Sequence, residues 1–272
     1  MHPFDEAIRL LPLDADHSRG ATHPAYANMV GPFGGTTAAV LLNGALQHPA
    51  RLGDPVSLTV NFAAPVADGA FEVEARPVRT NRSTQHWWMQ LAQQGEVAAT
   101  ASAVFALRRP SWSDLEAPAP QDLPPAAALT RASVEGRPAW VARYDMRFAQ
   151  EGPAMRLDGV EQPHSESLFW VRDEPPRPLD FAALASICDC FFPRIFLRRG
   201  RPAPIGTVSL TTHFHADASL LAAQHDRHLL ASARALNFRD GYFDQRAEVW
   251  DDQGRLLASS QQMVYYRDDR GA

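Results

Sequence analysis

An aspartate stands in one of the most apolar stretches of this sequence: LASICDCFFPRIF, Leu184 to Phe196, carries Asp189 among small and hydrophobic neighbours. Desolvating an ionised carboxylate is costly, so a carboxylate buried there needs a partner or a task. The task it suits is acid–base work, taking a proton from a bound water or orienting one of its lone pairs. Two further groups bear chemistry. Gly34 and Gly35, in PFGGTTAAVLLNGAL, open a helix-compatible run. Free backbone N–H groups collect at such a start, and absent side chains let a ligand come close. Those donors suit the oxyanion of an acyl-transfer intermediate, although a plain packing role fits a glycine pair equally well. Arg194, Arg198, Arg199 and Arg201 follow the aspartate. They form a cluster with the chemistry to meet phosphates and the composition of a solvated loop.

Other chemistries lack their residues. All 26 basic residues are arginine, so lysine Schiff bases and lysine general bases are excluded. GxSxG, P-loop and GxGxxG motifs are missing. His213 and His215 alternate on one strand face, and Cys188 and Cys190 are the only cysteines. Residues two apart on a helix diverge by about 200°, so both thiols cannot readily reach one ion, and no metal site is expected. The same geometry prevents a disulfide between them, and free thiols suit a reducing compartment. With no leader-like N-terminus and no run of about 18 apolar residues, the chain reads as soluble and cytoplasmic. A net charge of −5 over 272 residues argues against nucleic acid or an anionic membrane as the main partner.

The elements that must position these groups occur twice. VSLTVNFAA (Val56 to Ala64) matches VSLTTHFHA (Val208 to Ala216) at six of nine positions, and QGEVAATASAVFALR (Gln94 to Arg108) aligns with QGRLLASSQQMVYYR (Gln253 to Arg267). Each VSLT strand follows an apolar run ending at a proline: FGGTTAAVLLNGALQHP, Phe33 to Pro49, and LDFAALASICDCFFP, Leu179 to Pro193. Both runs read as helices. FEVEARPVRT, HWWMQLAQ, HLLASARALNF and DQRAEVWDD alternate as strands. Each half is thus an apolar helix plus an antiparallel meander, an α+β design in which a curved sheet wraps the helix. The domain expectation is 1–110 and 138–272, joined by a Pro/Ala-rich linker over 111–137 that includes LEAPAPQDLPPAAA.

This duplicated layout, with PFGGTTAAVLLNGAL and VSLTVNFAAPV in the first half and LASICDCFFP, GTVSLTTHFHA and GRLLASSQQ in the second, resembles the TesB-like (thioesterase II) acyl-CoA thioesterases. The resemblance covers nearly the whole chain. It implies a double hotdog fold, an acyl-CoA substrate, no cofactor, and homo-oligomers through sheet edges. It also implies a catalytic water held by an aspartate on the second helix, a threonine on the next strand and a glutamine on the last strand. These roles fall on Asp189, Thr207 and Gln262. Beside them, the residue types alone offer Gly34 and Gly35 as lining for the acyl or thioester site, and Arg194, Arg198 and Arg199 as contacts for the phosphates of coenzyme A, with plain packing and a solvated loop as the alternatives.

Sliding one half onto the other puts Pro55 opposite Thr207, Ala103 opposite Gln262 and a residue near Ala45 opposite Asp189, so one working site per chain is expected. Two orientations stay open at this level. Strand parity puts Thr207 on the face away from Val208, Leu210 and Phe214 unless a bulge re-aims it, and Gln261 and Gln262 point oppositely. A non-catalytic acyl-thioester binding protein and a hotdog dehydratase or hydratase, which would want a His with an acidic partner, are the rival readings.

Overall fold

The computed structural model describes residues 1–149 and 157–267. The first half comprises α1 (Pro3–Ala7), β1 (Leu11–Pro12), β2 (His17–Ala21), α2 (Gly34–Gln47), β3 (Asp54–Phe62), β4 (Ala70–Thr80), β5 (Thr84–Gln93) and β6 (Glu96–Ala106). The second comprises β7 (Tyr144–Phe148), β8 (Ser167–Asp173), α3 (Phe181–Ile187), α4 (Arg194–Arg199), β9 (Ile205–Phe214), α5 (Ala218–Gln224), β10 (Leu229–Arg234), β11 (Phe238–Arg239), β12 (Tyr242–Trp250) and β13 (Leu256–Tyr266). Among the described residues the strands form one antiparallel sheet in the order β1-β2-β4-β5-β6-β3-β9-β13-β12-β10-β8-β7, with β11 on β12. This is a double hotdog, and α2 and α3 pack against each other inside it. From Gly35 to Ala45 nearly every residue of α2 is buried, as its all-round apolar sequence requires.

The two halves meet where β3 pairs with β9, in the register Ser57↔His213, Leu58↔Thr212, Thr59↔Thr211, Val60↔Leu210 and Asn61↔Ser209. Thr59 and Thr211 are the same position of the repeat, so a pseudo-twofold axis passes between them. Their hydroxyls lie 3.0 Å apart. The sheet's free edges are β1, of two residues ending in Pro12, and β7, of five.

The repeat carries its irregularities as well. On β3 the pairing to β6 skips from Pro55↔Phe105 to Ser57↔Val104, and on β9 the pairing to β13 skips from Thr207↔Val264 to Ser209↔Met263. Val56 and Val208 are therefore the extra residues of equivalent β-bulges. The Pro/Ala-rich segment is strapped to the second half. Trp250 Nε1 donates to the Ala117 carbonyl at 3.0 Å, Trp170 Nε1 to that of Pro124 at 2.9 Å, and Ala119 packs with Leu168, Leu230 and Trp250.

One element is shorter than expected. The helix anticipated from Leu179 to Pro193 ends at Ile187, so Asp189 lies beyond its last turn rather than within it. Backbone bonds Asp189 N–H to Ser186 O (3.1 Å) and Cys190 N–H to Ile187 O (3.0 Å) tighten the end to a three-residue spacing. No glycine or proline marks this stop. Side-chain and backbone donors from other elements fix it.

Candidate active site

Ser260 and Gln262 alternate inward on β13, and between them they hold the end of α3. Ser260 Oγ donates to the Cys188 carbonyl at 3.1 Å, and Gln262 Nε2 donates to Asp189 Oδ1 at 2.7 Å. Because a carboxylate accepts only, the Gln262 amide must turn its NH₂ toward Asp189 and its oxygen elsewhere. Gln262 is buried and Gln261 exposed, which decides the orientation left open by sequence. From the other half, the Gly35 N–H also donates to the Asp189 carboxylate. The aspartate thus joins the start of α2 to the last strand of the sheet.

The glycine pair is required sterically. A Cβ on Gly34 would stand 2.8 Å from Asp189 Oδ2, and one on Gly35 would stand 2.5 Å from the Ser186 carbonyl. Real Cβ contacts do not reach such distances, so α2 approaches the α3 terminus this closely only through glycine. Burial pushes the Asp189 carboxyl up to about 7, against the opposing pull of the Gln262 amide and the Gly35 N–H. A base that ionises near neutrality is well matched to proton transfer there.

Thr207 joins this group through the bulge. Simple alternation from Leu210 would bring Val208 inward, yet Val208 is 41% exposed. Thr207 lines the same cavity as Asp189 and Gln262. The extra residue has shifted the alternation by one, so that the hydroxyl of Thr207 replaces the isopropyl of Val208 on the inner face.

The cavity has a volume of about 500 Å³ and lies between the start of α2, the end of α3 and the inner faces of β9, β12 and β13. Its walls are largely apolar, with aromatic rings from Phe33, Trp140, Phe192 and Phe243 among them. Phe33 of the first half stacks on Trp140 of the second with centroids 4.2 Å apart and planes 7° from parallel. Three polar lining residues were not found by sequence reasoning, and one of them, Asn28, accepts through its Oδ1 from Trp140 Nε1 at 3.2 Å. Arg137 sits in the segment expected to be a linker. Gln245 is 3% exposed and directly opposite Gln262 in the β12–β13 register. Its signal was present in the sequence: it occupies an inward position of the alternating run Phe243, Gln245, Ala247, Val249.

The arginine cluster corrects the sequence expectation. Arg194 is fully buried and spends its donors on protein acceptors: Phe192 O at 2.9 Å, Ser165 O at 2.9 Å, Ser167 Oγ at 2.8 Å and Ala233 O at 3.0 Å. It is a structural tie with no face for a coenzyme A phosphate. Arg198 and Arg199 lie outside the cavity lining, against Glu161 at 3.9 and 2.9 Å, and border a shallow surface hollow. Cys188 and Cys190 are buried and unbridged, and His213 and His215 are exposed on β9 and just beyond its end. Among the described residues, no three His, Cys, Asp or Glu side chains are grouped to hold a metal, and no helix is long and apolar enough to cross a membrane.

Comparison with known proteins matches both halves. The acyl-CoA thioesterase N-terminal domain family covers residues 23–106 and the acyl-CoA thioesterase C-terminal domain family covers residues 117–266. Among solved structures, a conserved protein of unknown function with a hot dog fold from Alicyclobacillus acidocaldarius is 47% identical, with a TM-score of 0.93 over 98% of this chain and 99% of that one. A putative thioesterase II from Thermobifida fusca shares the fold at 23% identity and a TM-score of 0.84, over 98% of both chains. So does the acyl-CoA thioesterase II TesB2 from Mycobacterium marinum, at 20% identity and 0.73, over 99% of this chain and 100% of that one. No curated protein matches the sequence.

Proposed function

This chain belongs to the acyl-CoA thioesterase family, and from that premise we propose that it hydrolyses an acyl-CoA to a free acid and coenzyme A by a water that Asp189, Gln262 and Thr207 hold. The observation that carries the reading is the Gln262–Asp189 contact of 2.7 Å, set beside the glycine start of α2 in a largely apolar cavity. Gln262 and Gly35 occupy two of the carboxylate's acceptor positions, and a water takes another. Gln262 Oε1 and Thr207 Oγ1 complete its hydrogen bonds. Asp189 accepts the water's proton as the oxygen attacks the thioester carbon. The oxyanion forms toward the Gly34 N–H at the positive end of α2. Collapse breaks the C–S bond, and the departing thiolate takes up a proton.

Arg137 is the cationic group on the cavity wall, and we assign it, in place of Arg194, to a phosphate of coenzyme A. The buried free thiols agree with a reducing, cytoplasmic setting. The dehydratase alternative needs a histidine beside the carboxylate, and among the described residues no histidine lines the cavity.

The test is thiol release from short, medium, long and aromatic acyl-CoAs, with wild type beside Asp189→Asn. Wild type is expected to turn over at least one of them, and the variant to lose about 100-fold or more in kcat/KM with its fold intact. Equal rates would remove Asp189 from the mechanism. Saturable binding by wild type without turnover would make the chain an acyl-thioester binding protein.

A further inference from the structure

Gln245 has no assigned work, and its surroundings are unusual for a glutamine. It is 3% exposed and lines the cavity; its amide makes no hydrogen bond to the described residues, and its polar atoms open on the cavity instead of being sealed in the packing. Its inward neighbours along β12 are Phe243 and Ala247, both apolar and buried. An amide shut away without partners is costly, so native structures satisfy such groups with protein, water or ligand. A plain alkyl chain that displaced water from this wall would leave the amide without a partner.

Placement says which part of a substrate would meet it. Gln245 is the direct cross-strand partner of Gln262, one strand spacing, about 4.8 Å, further from β9. Gln262 holds the carboxylate beside which the thioester carbonyl must lie. Gln245 therefore faces carbons adjacent to that carbonyl, not the far end of a chain. At the equivalent place in the first half, the register pairs Trp87 with Ala103, where Gln245 pairs with Gln262 in the second. There the same position is filled by an indole in the core.

We infer that Gln245 is a specificity-determining residue that hydrogen-bonds an oxygen or nitrogen substituent on the acyl carbons next to the thioester carbonyl, so that the enzyme prefers acyl groups bearing such a substituent over plain alkyl ones. This rests on the acyl-CoA hydrolase reading above. A site built to pair a substrate hydroxyl discriminates strongly against the analogue lacking it, because the site's own polar group is then left bare.

The experiment compares kcat/KM for 3-hydroxybutyryl-CoA and butyryl-CoA in wild type and in Gln245→Leu, with melting temperatures for both proteins. Wild type is expected to favour the hydroxyacyl substrate by about 10-fold or more. The leucine variant is expected to lose that preference, with hydroxyacyl hydrolysis falling about 10–100-fold and butyryl hydrolysis held or raised. Because the amide has no partner to lose among the described residues, the variant should melt no lower than wild type. Equal slowing of both substrates would overturn the inference and make Gln245 part of the common thioester machinery. A wild type without preference, or a variant that melts well below it, would also overturn it. Hydrolysis of both substrates alike leaves the hydrolase reading standing while this inference falls. No turnover of any acyl-CoA removes the two together.

Discussion

The two halves share a register down to their bulges, yet only the second builds the reactive group. At the bulge, buried Pro55 stands where Thr207 stands; on the last strand Ala101 and Ala103 stand where Ser260 and Gln262 stand; on the next strand Trp87 stands where Gln245 stands. Each first-half residue removes a polar group or fills space. Trp87, 2% exposed, packs on His48 and Phe105 at ring distances of 5.0 and 5.8 Å. The cavity of about 500 Å³ is lined by Thr207, Gln245 and Gln262 and by none of Pro55, Trp87, Ala101 or Ala103. The helices differ in the same sense: α2 runs from Gly34 to Gln47 without interruption, whereas α3 stops at Ile187 and delivers Asp189 from the turn beyond. One fold can therefore serve as a packed support or as a site, and a handful of inward positions decides between them.

The comparison can be broken most sharply at Gln262. Gln262→Ala installs the first half's residue, removes the donor on Asp189 Oδ1 and leaves the carboxyl buried with less support. Activity should fall about 10–100-fold. The pH–rate curve, expected to rise through about 7 in wild type as Asp189 ionises, should shift upward, because the lost hydrogen bond is one that favours the charged form. An unshifted inflection would assign it to another group.

The reverse experiment treats the first half as scaffold. Trp87→Ala should destabilise the protein by about 3–5 kcal/mol in urea unfolding, as expected for a buried indole. Its kcat/KM should stay within about twofold of wild type, since the substitution lies outside the site. Loss of activity with stability intact would give Trp87 itself a part in the reaction.

The smallest effect is thermodynamic. Asp189 has a folded-state pKa of about 7 against an ordinary 3.8, so the folded protein binds this proton more tightly than the unfolded chain. Its stabilising contribution is therefore lost as pH rises from about 4 to about 7. Asp173, also raised by burial to about 7, adds a similar slope. Asp189→Asn retains the Asp173 slope and lacks its own, so between pH 4.5 and 7.5 its melting temperature should drop by several degrees less than that of wild type. Parallel pH–melting curves would contradict the raised pKa.

Much of this contrast was legible in the residues alone. The repeat aligned Ala103 with Gln262 and Pro55 with Thr207 correctly because strand registers follow the side-chain alternation, which sequence displays. What escaped was set by contacts between distant segments. The apolar run around Asp189 carries no local stop signal, and α3 ends where Ser260, Gln262 and Gly35 hold it. Arg194 belongs to an arginine-rich run that reads as solvated, but carbonyls from three separate segments enclose it. Thr207 required the bulge at Val208, and parity alone aims it wrongly. Gln245 was visible as a polar residue in an apolar alternation and was passed over because no motif includes it.

The hydroxyl contact between Thr59 and Thr211 joins two copies of one residue, as a homodimer's axis would. Here the partner copy is on the same chain, so the interface forms at a fixed effective concentration that dilution cannot lower. In a homodimer any substitution appears on both sides of the axis, and a Trp that closes one cavity closes both. Covalent fusion removes that constraint. Each copy can then change alone, so one cavity can be packed for rigidity while its twin keeps the space and the unpaired polar groups that chemistry requires.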